Sequence, residues 1–234
     1  ASGVELLAVQ LPGRGSRSRE PFLPSAQAAA KEILPVVTPL LQSGVPYAVL
    51  SHSLGVWISF ELLRAVRHVG LPLPRAWCLS AMPYPDVPYC RRPWRQQRTL
   101  GAADFQEEVR GWGVNDVVFS SDMWPLYEPI LRADFTVFDE YELQPDEPYK
   151  YDVLADEDVN EPPPMEPFGF PIAAFWGTQD RRIKRELVAP WARYTRGSFQ
   201  LIEINGNHLW PINHHGAKAM WLSRVVEVLK RAVN

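Results

Sequence analysis

Short apolar runs alternate with helix-length segments over most of this chain, and that rhythm leaves few folds open. Runs at residues 4–11, 47–50, 77–80, 172–176 and 199–204 have the length of buried strands and are bounded by Gly, Pro or polar residues. Helix-like stretches lie at 25–42, 55–69, 185–196 and 216–232. Strands alternating with crossover helices imply a mostly parallel sheet, so the expected class is α/β. The rhythm pauses over about 86–145, which reads as two or more aromatic-rich helices near 102–112 and 122–142, with no strand. One α/β domain over 1–234 with a helical insertion fits better than two independent domains. Ser25 is a candidate N-cap for the first helix, and Pro35 and Pro39 are expected to kink or shorten it.

Residues 145–168 form a Pro-rich acidic tract holding Asp146, Glu147, Asp152, Asp156, Glu157, Asp158, Glu161 and Glu166, interrupted only by Lys150. That composition suits a solvated surface loop. At 46% hydrophobic with nine Trp, the rest of the chain can build a substantial core. The formal charge of −3 argues against a nucleic-acid binder. Cys78 and Cys90 make neither a disulfide framework nor a metal-ligand spacing. No apolar run approaches the roughly 20 residues that cross a bilayer. The expectation is a cytoplasmic protein with no membrane span, no metal and no bound cofactor.

Ser51-His52-Ser53-Leu54-Gly55 sits between the strand at 47–50 and the helix at 55–69. A strand–serine–helix turn is the setting of a nucleophile elbow, where the hydroxyl is lifted clear of the sheet. The serine then lies near the positive end of the helix, whose free N–H groups favour negative charge. Small residues two before and two after the serine let strand and helix approach; Gly55 supplies one, and Ser51 stands in for the usual glycine. A serine hydroxyl needs a base, and the base an orienting acid, which follow in the order Ser, acid, His in this type of fold. His52 and His68 come too early for the base, and His214 and His215 adjoin a helix start. His208 lies in the loop Asn205-Gly206-Asn207-His208, just past a strand, where α/β sheets place functional side chains. Asp180 follows the strand at 172–176 in the same way; Asp152, Asp156 and Asp158 are rivals that follow no strand. A loop histidine satisfied locally and a helix-start aspartate are the plain alternatives for these two.

The chain resembles the type II thioesterases that accompany polyketide, nonribosomal-peptide and fatty-acid synthases. The resemblance rests on Leu11-Pro12-Gly13-Arg14-Gly15-Ser16-Arg17, on His52-Ser53-Leu54-Gly55 leading into Phe60-Glu61-Leu62, and on Leu131-Arg132-Ala133-Asp134-Phe135. Gly177-Thr178-Gln179-Asp180 and Gly206-Asn207-His208 complete the set, in family order over nearly the whole chain. It implies an α/β-hydrolase fold with a helical lid. It implies hydrolysis of acyl thioesters held on the phosphopantetheine arm of an acyl carrier protein or synthase carrier domain, for editing or chain release. Residue by residue, it implies Ser53 as nucleophile, His208 as base, Asp180 as its orienting acid and the Leu54 N–H as an oxyanion donor. Trp112, Phe119, Trp124 and Tyr127 in the insertion are candidates for an apolar substrate channel, with core packing as the alternative. The resemblance further implies an earlier strand with a Gly-rich loop carrying a second oxyanion donor, so a further N-terminal segment of the same polypeptide is expected.

Two other readings compete. An oxygen-ester hydrolase of the same fold would share every motif and differ only in substrate preference. A non-catalytic acyl-binding or scaffold fragment would not react with a fluorophosphonate probe, which labels only an assembled Ser–His pair.

Overall fold

The computed structural model describes residues 3–146, 163 and 165–233. In chain order it forms α1 (Ala26–Leu41), β1 (Val49–His52), α2 (Leu54–His68), β2 (Trp77–Ser80), α3 (Ala102–Gly111) and α4 (Trp124–Asp139). Then come β3 (Ile172–Gly177), α5 (Arg185–Val188), β4 (Phe199–Ile204), α6 (Trp210–Asn213) and α7 (His215–Val233). The four strands are parallel in the order β1-β2-β3-β4, with Trp77 opposite both Val49 and Ile172. This is the α/β architecture expected, with the strand at 47–50 shifted two residues toward the elbow.

Alternation along the strands splits the core into two layers. Trp77, Leu79, Ile172 and Ala174 face α1, α2 and the insertion. Cys78, Ala173 and Phe175 face α7, which presents Ala217, Trp221, Val225 and Val228 at helical spacing. In the larger layer Trp57 donates its indole N–H to the Pro83 carbonyl and Trp191 to that of Met82.

Four local expectations need correction. Residues 4–11 form no strand: Val4, Leu6, Leu7 and Val9 are exposed, and nothing among the described residues offers them a ladder. Apolar composition gives propensity, but a strand exists only when a neighbour takes its N–H and C=O groups. Pro35 and Pro39 do not shorten α1, which starts on Ser25 with its side chain accepting from the Ala28 N–H. Both prolines lie one turn apart on the exposed face, so the carbonyls they orphan open to water. The helix at 185–196 is a single α turn followed by a 3₁₀ segment, Ala189–Tyr194, with Pro190 at the junction. A Cβ on Gly55 would meet nothing within 4 Å, so close approach does not dictate that glycine among the described residues.

Most of the acidic tract, including Glu147, Lys150, Asp152, Asp156, Glu157, Asp158 and Glu161, lies outside the described residues. Its two ends are held to basic side chains. Asp146 pairs with Arg64 and Arg67 of α2, and Glu166 with Arg196.

Asp139, at the last turn of α4, is buried and accepts the Gln97 N–H at 2.6 Å. Burial pushes its pKa up to about 6, against the opposing pull of that N–H. The folded state therefore keeps the proton to higher pH than the unfolded chain, and stability falls as pH rises from about 4 to 6. Asp139→Asn keeps the acceptor and removes the charge. It should stabilise the protein by on the order of 2 kcal/mol at pH 8 and by little at pH 4. Thermal unfolding at the two pH values checks this; equal shifts at both would show that the carboxylate does not titrate in that window.

Candidate active site

β1 feeds directly into the turn that starts α2, and the turn is strained. Ser53 has φ 52° and ψ −134°, a left-handed backbone that non-glycine residues rarely adopt. Its N–H is anchored on the Ser80 carbonyl at 2.8 Å. Leu54, the first residue of α2, has an N–H with no acceptor inside the helix. Ser51 is more than a stand-in for glycine: it is buried, and its hydroxyl accepts the Trp77 indole N–H at 2.8 Å. A glycine there would leave a buried donor unpaired.

The loops after β3 and β4 touch backbone to backbone. Thr178 N–H donates to the Ile204 carbonyl, and Gln179 N–H to that of Gly206. A Cβ on Gly177 would sit 2.5 Å from the Gly206 oxygen, and one on Gly206 2.7 Å from the Trp210 Cβ. This contact brings Asp180 and His208 together, 28 residues apart in sequence. His208 Nδ1 lies 2.8 Å from Asp180 Oδ2, and His208 Nε2 lies 2.8 Å from Ser53 Oγ. Asp180 is fully buried and His208 nearly so.

Burial pushes the Asp180 carboxyl up, but the His208 ring and the Ile183 and Arg182 N–H groups outweigh it and hold the carboxyl below its ordinary value. Asp180 Oδ1 accepts both of those N–H groups, at 3.0 and 2.8 Å. A carboxylate only accepts, so the His208 proton sits on Nδ1 and Nε2 is free to take the Ser53 proton. Such a relay can activate a hydroxyl for attack on an acyl carbon. His214 has a local job instead, its Nδ1 accepting the Ala217 N–H.

A family model, the thioesterase domain, matches residues 1–228. The chain belongs to the thioesterase family. It is a hydrolase acting on thioesters, with an α/β-hydrolase fold. The gramicidin S biosynthesis protein GrsT of Aneurinibacillus migulanus is 29% identical to this thioesterase over 209 residues, covering 88% of this chain and 72% of the relative. RedJ, a thioesterase from the prodiginine biosynthetic pathway in Streptomyces coelicolor, superposes with a TM-score of 0.75 at 26% identity, over 94% of this chain and 74% of RedJ. YbtT, a type II thioesterase from the yersiniabactin NRPS/PKS pathway, shares the fold with a TM-score of 0.76 at 21% identity, over 97% and 82% of the two chains.

The thioesterase's insertion meets the triad through Trp112, one of the four aromatic residues expected to line a channel. Its ring packs edge-on against His208, with centroids 4.7 Å apart. Among the described residues no ring contact joins the other three to His208. Phe119 and Trp124 stack on each other, and Trp124 packs against Phe105 in the core of the insertion. Tyr127 is exposed. A small recess instead opens beside Leu54, lined by Leu11, Arg14, Leu23, Ile58, Asp134 and Val137. Across it Arg14 forms a double hydrogen bond to Asp134, at 2.7 and 3.0 Å, joining two of the motifs that carried the family resemblance. Sequence reading missed this pair, although each motif sets a charge between small or apolar neighbours, Arg14 between two glycines and Asp134 between Ala133 and Phe135. Among the described residues no helix is long and apolar enough to cross a membrane, and no cluster of side chains could hold a metal ion.

Proposed function

We propose that this thioesterase is of type II and hydrolyses acyl groups from the phosphopantetheine arm of an acyl carrier protein or synthase carrier domain. The observation that carries the reading is the unbroken Ser53–His208–Asp180 chain, in a fold shared with thioesterases of peptide and polyketide pathways. Ser53 Oγ attacks the thioester carbon as His208 Nε2 takes its proton. The Leu54 N–H and the start of α2 lie where the carbonyl oxygen gains charge. The C–S bond breaks as His208 returns that proton to the departing sulfur, and the thiol, which ionises near pH 8.5, is a good leaving group. Water, deprotonated by His208, then attacks the acyl-Ser53 ester, and His208 passes the proton to Ser53 Oγ as the C–O bond breaks and the free acid leaves. No cofactor beyond the substrate's own phosphopantetheine is required. The insertion acts as a lid, with Trp112 covering one face of the base and the recess beside Leu54 taking the start of the acyl chain. Editing and chain release use the same chemistry.

Hydrolysis of carrier-bound acyl groups of graded length, beside the matching p-nitrophenyl esters, tests the reading. We expect kcat/KM on at least one carrier-bound acyl group to exceed that on the ester of equal length. Turnover of the esters alone would favour the oxygen-ester alternative.

A further inference from the structure

His52 lies outside the triad, yet both of its ring nitrogens are engaged. Nδ1 is 2.9 Å from the Ser80 hydroxyl, and Nε2 is 2.9 Å from the main-chain oxygen of His208. A carbonyl oxygen only accepts, so Nε2 carries the ring proton. Nδ1 is then an acceptor for the Ser80 hydroxyl, with the Ser51 carbonyl, 3.0 Å away, as the competing acceptor. Trp210 and Trp221 stand edge-on around the ring, at 5.1 and 6.3 Å. The titratable groups facing it are His208 and Asp180. Burial, with His208 beside it, pushes the His52 pKa down to about 3, so the ring is neutral at ordinary pH.

The chain order gives this contact its meaning. His52 and Ser53 are consecutive, and one presents the hydroxyl while its neighbour grips the peptide that bears the base. We propose that His52 is a positioning residue, tying the main chain of His208 to the end of β1, next to the turn that carries Ser53. Asp180 fixes the His208 ring from one side, and His52 fixes its backbone from the other. The 2.8 Å Ser53–His208 separation is thus held by consecutive residues, His52 at the end of β1 and Ser53 in the turn that follows. The tie matters most after the first proton transfer. His208 must then serve the leaving thiol and later the water without drifting, and a misplacement of about 1 Å costs on the order of a hundredfold.

The inference rests on the triad reading, and the experiment keeps the two apart. His52→Leu removes the donor, whereas in His52→Gln an amide N–H reaches roughly where Nε2 stood. His52→Leu should lower kcat for thioester hydrolysis about 10–100-fold with KM changed little, and should slow fluorophosphonate labelling of Ser53 in parallel. His52→Gln should recover most of both. Ser80→Ala, which frees the ring but leaves it in place, should lower kcat in the same direction by less, and serves if His52→Leu does not fold. Full kcat in a folded His52→Leu protein, or a His52→Gln protein as impaired as His52→Leu, overturns the tie. Activity that survives in Ser53→Ala overturns the triad reading instead.

Discussion

Ser53→Ala should remove essentially all thioesterase turnover, a loss on the order of 10³-fold or more in kcat. The reason is local. The Ser53 hydroxyl is the only group hydrogen-bonded to His208 Nε2 among the described residues, and without it the base has no proton to take. The substitution should leave folding intact. Removing one hydroxyl from a turn opens no large cavity, and the Ser53 N–H keeps its bond to the Ser80 carbonyl. Ser53→Ala should unfold within about 2 °C of the parent and fail to react with a fluorophosphonate probe. Normal hydrolysis of a carrier-bound acyl group by this variant would end the proposed mechanism.

Asp180→Asn has the second-largest expected effect, and the geometry dictates why. Oδ1 accepts two backbone N–H groups, from Arg182 and Ile183, so the oxygen of the new amide must occupy that position. Its NH₂ is then forced to face His208 Nδ1. A donor facing Nδ1 moves the ring proton to Nε2, where it blocks transfer from Ser53. We expect kcat to fall about 10²–10⁴-fold, with little change in KM and a modest change in thermal stability. A variant with kcat within threefold of the parent would show that Asp180 does not orient the base.

The parts of the fold that were legible in the sequence are those fixed by local chemistry. Trp77–Ser80 and Phe199–Ile204 are short apolar runs closed by polar or Gly-containing turns, and both strands fall at the expected residues. The Ser53 turn was legible because it lies between a strand and a helix, and the meeting of Asp180 with His208 because each follows a strand. Composition could not say whether a strand has a neighbour, so residues 4–11 were misjudged. Nor could it say which way Pro35 and Pro39 face. His52 was set aside because it precedes the nucleophile in the chain, a rule about the base that is silent on the residue holding the base. The partners of Trp112, Ser51 and Arg14 lie from 26 to 120 residues away along the chain, and only folding reveals them.

The contact between Gly177 and Gly206 carries a consequence for how this enzyme can change over evolutionary time. Neither glycine has a left-handed backbone, so space alone excludes a side chain: each Cβ would strike a main-chain or ring-bearing atom within 3 Å. Replacing both together offers no escape, because the obstacle at Gly177 is a carbonyl oxygen and the obstacle at Gly206 is Trp210, neither of which a second substitution withdraws. Acid and base loops are therefore locked into one inherited unit. A change of acyl preference is then expected to come through the insertion, while a side chain at either glycine should cost activity on every substrate.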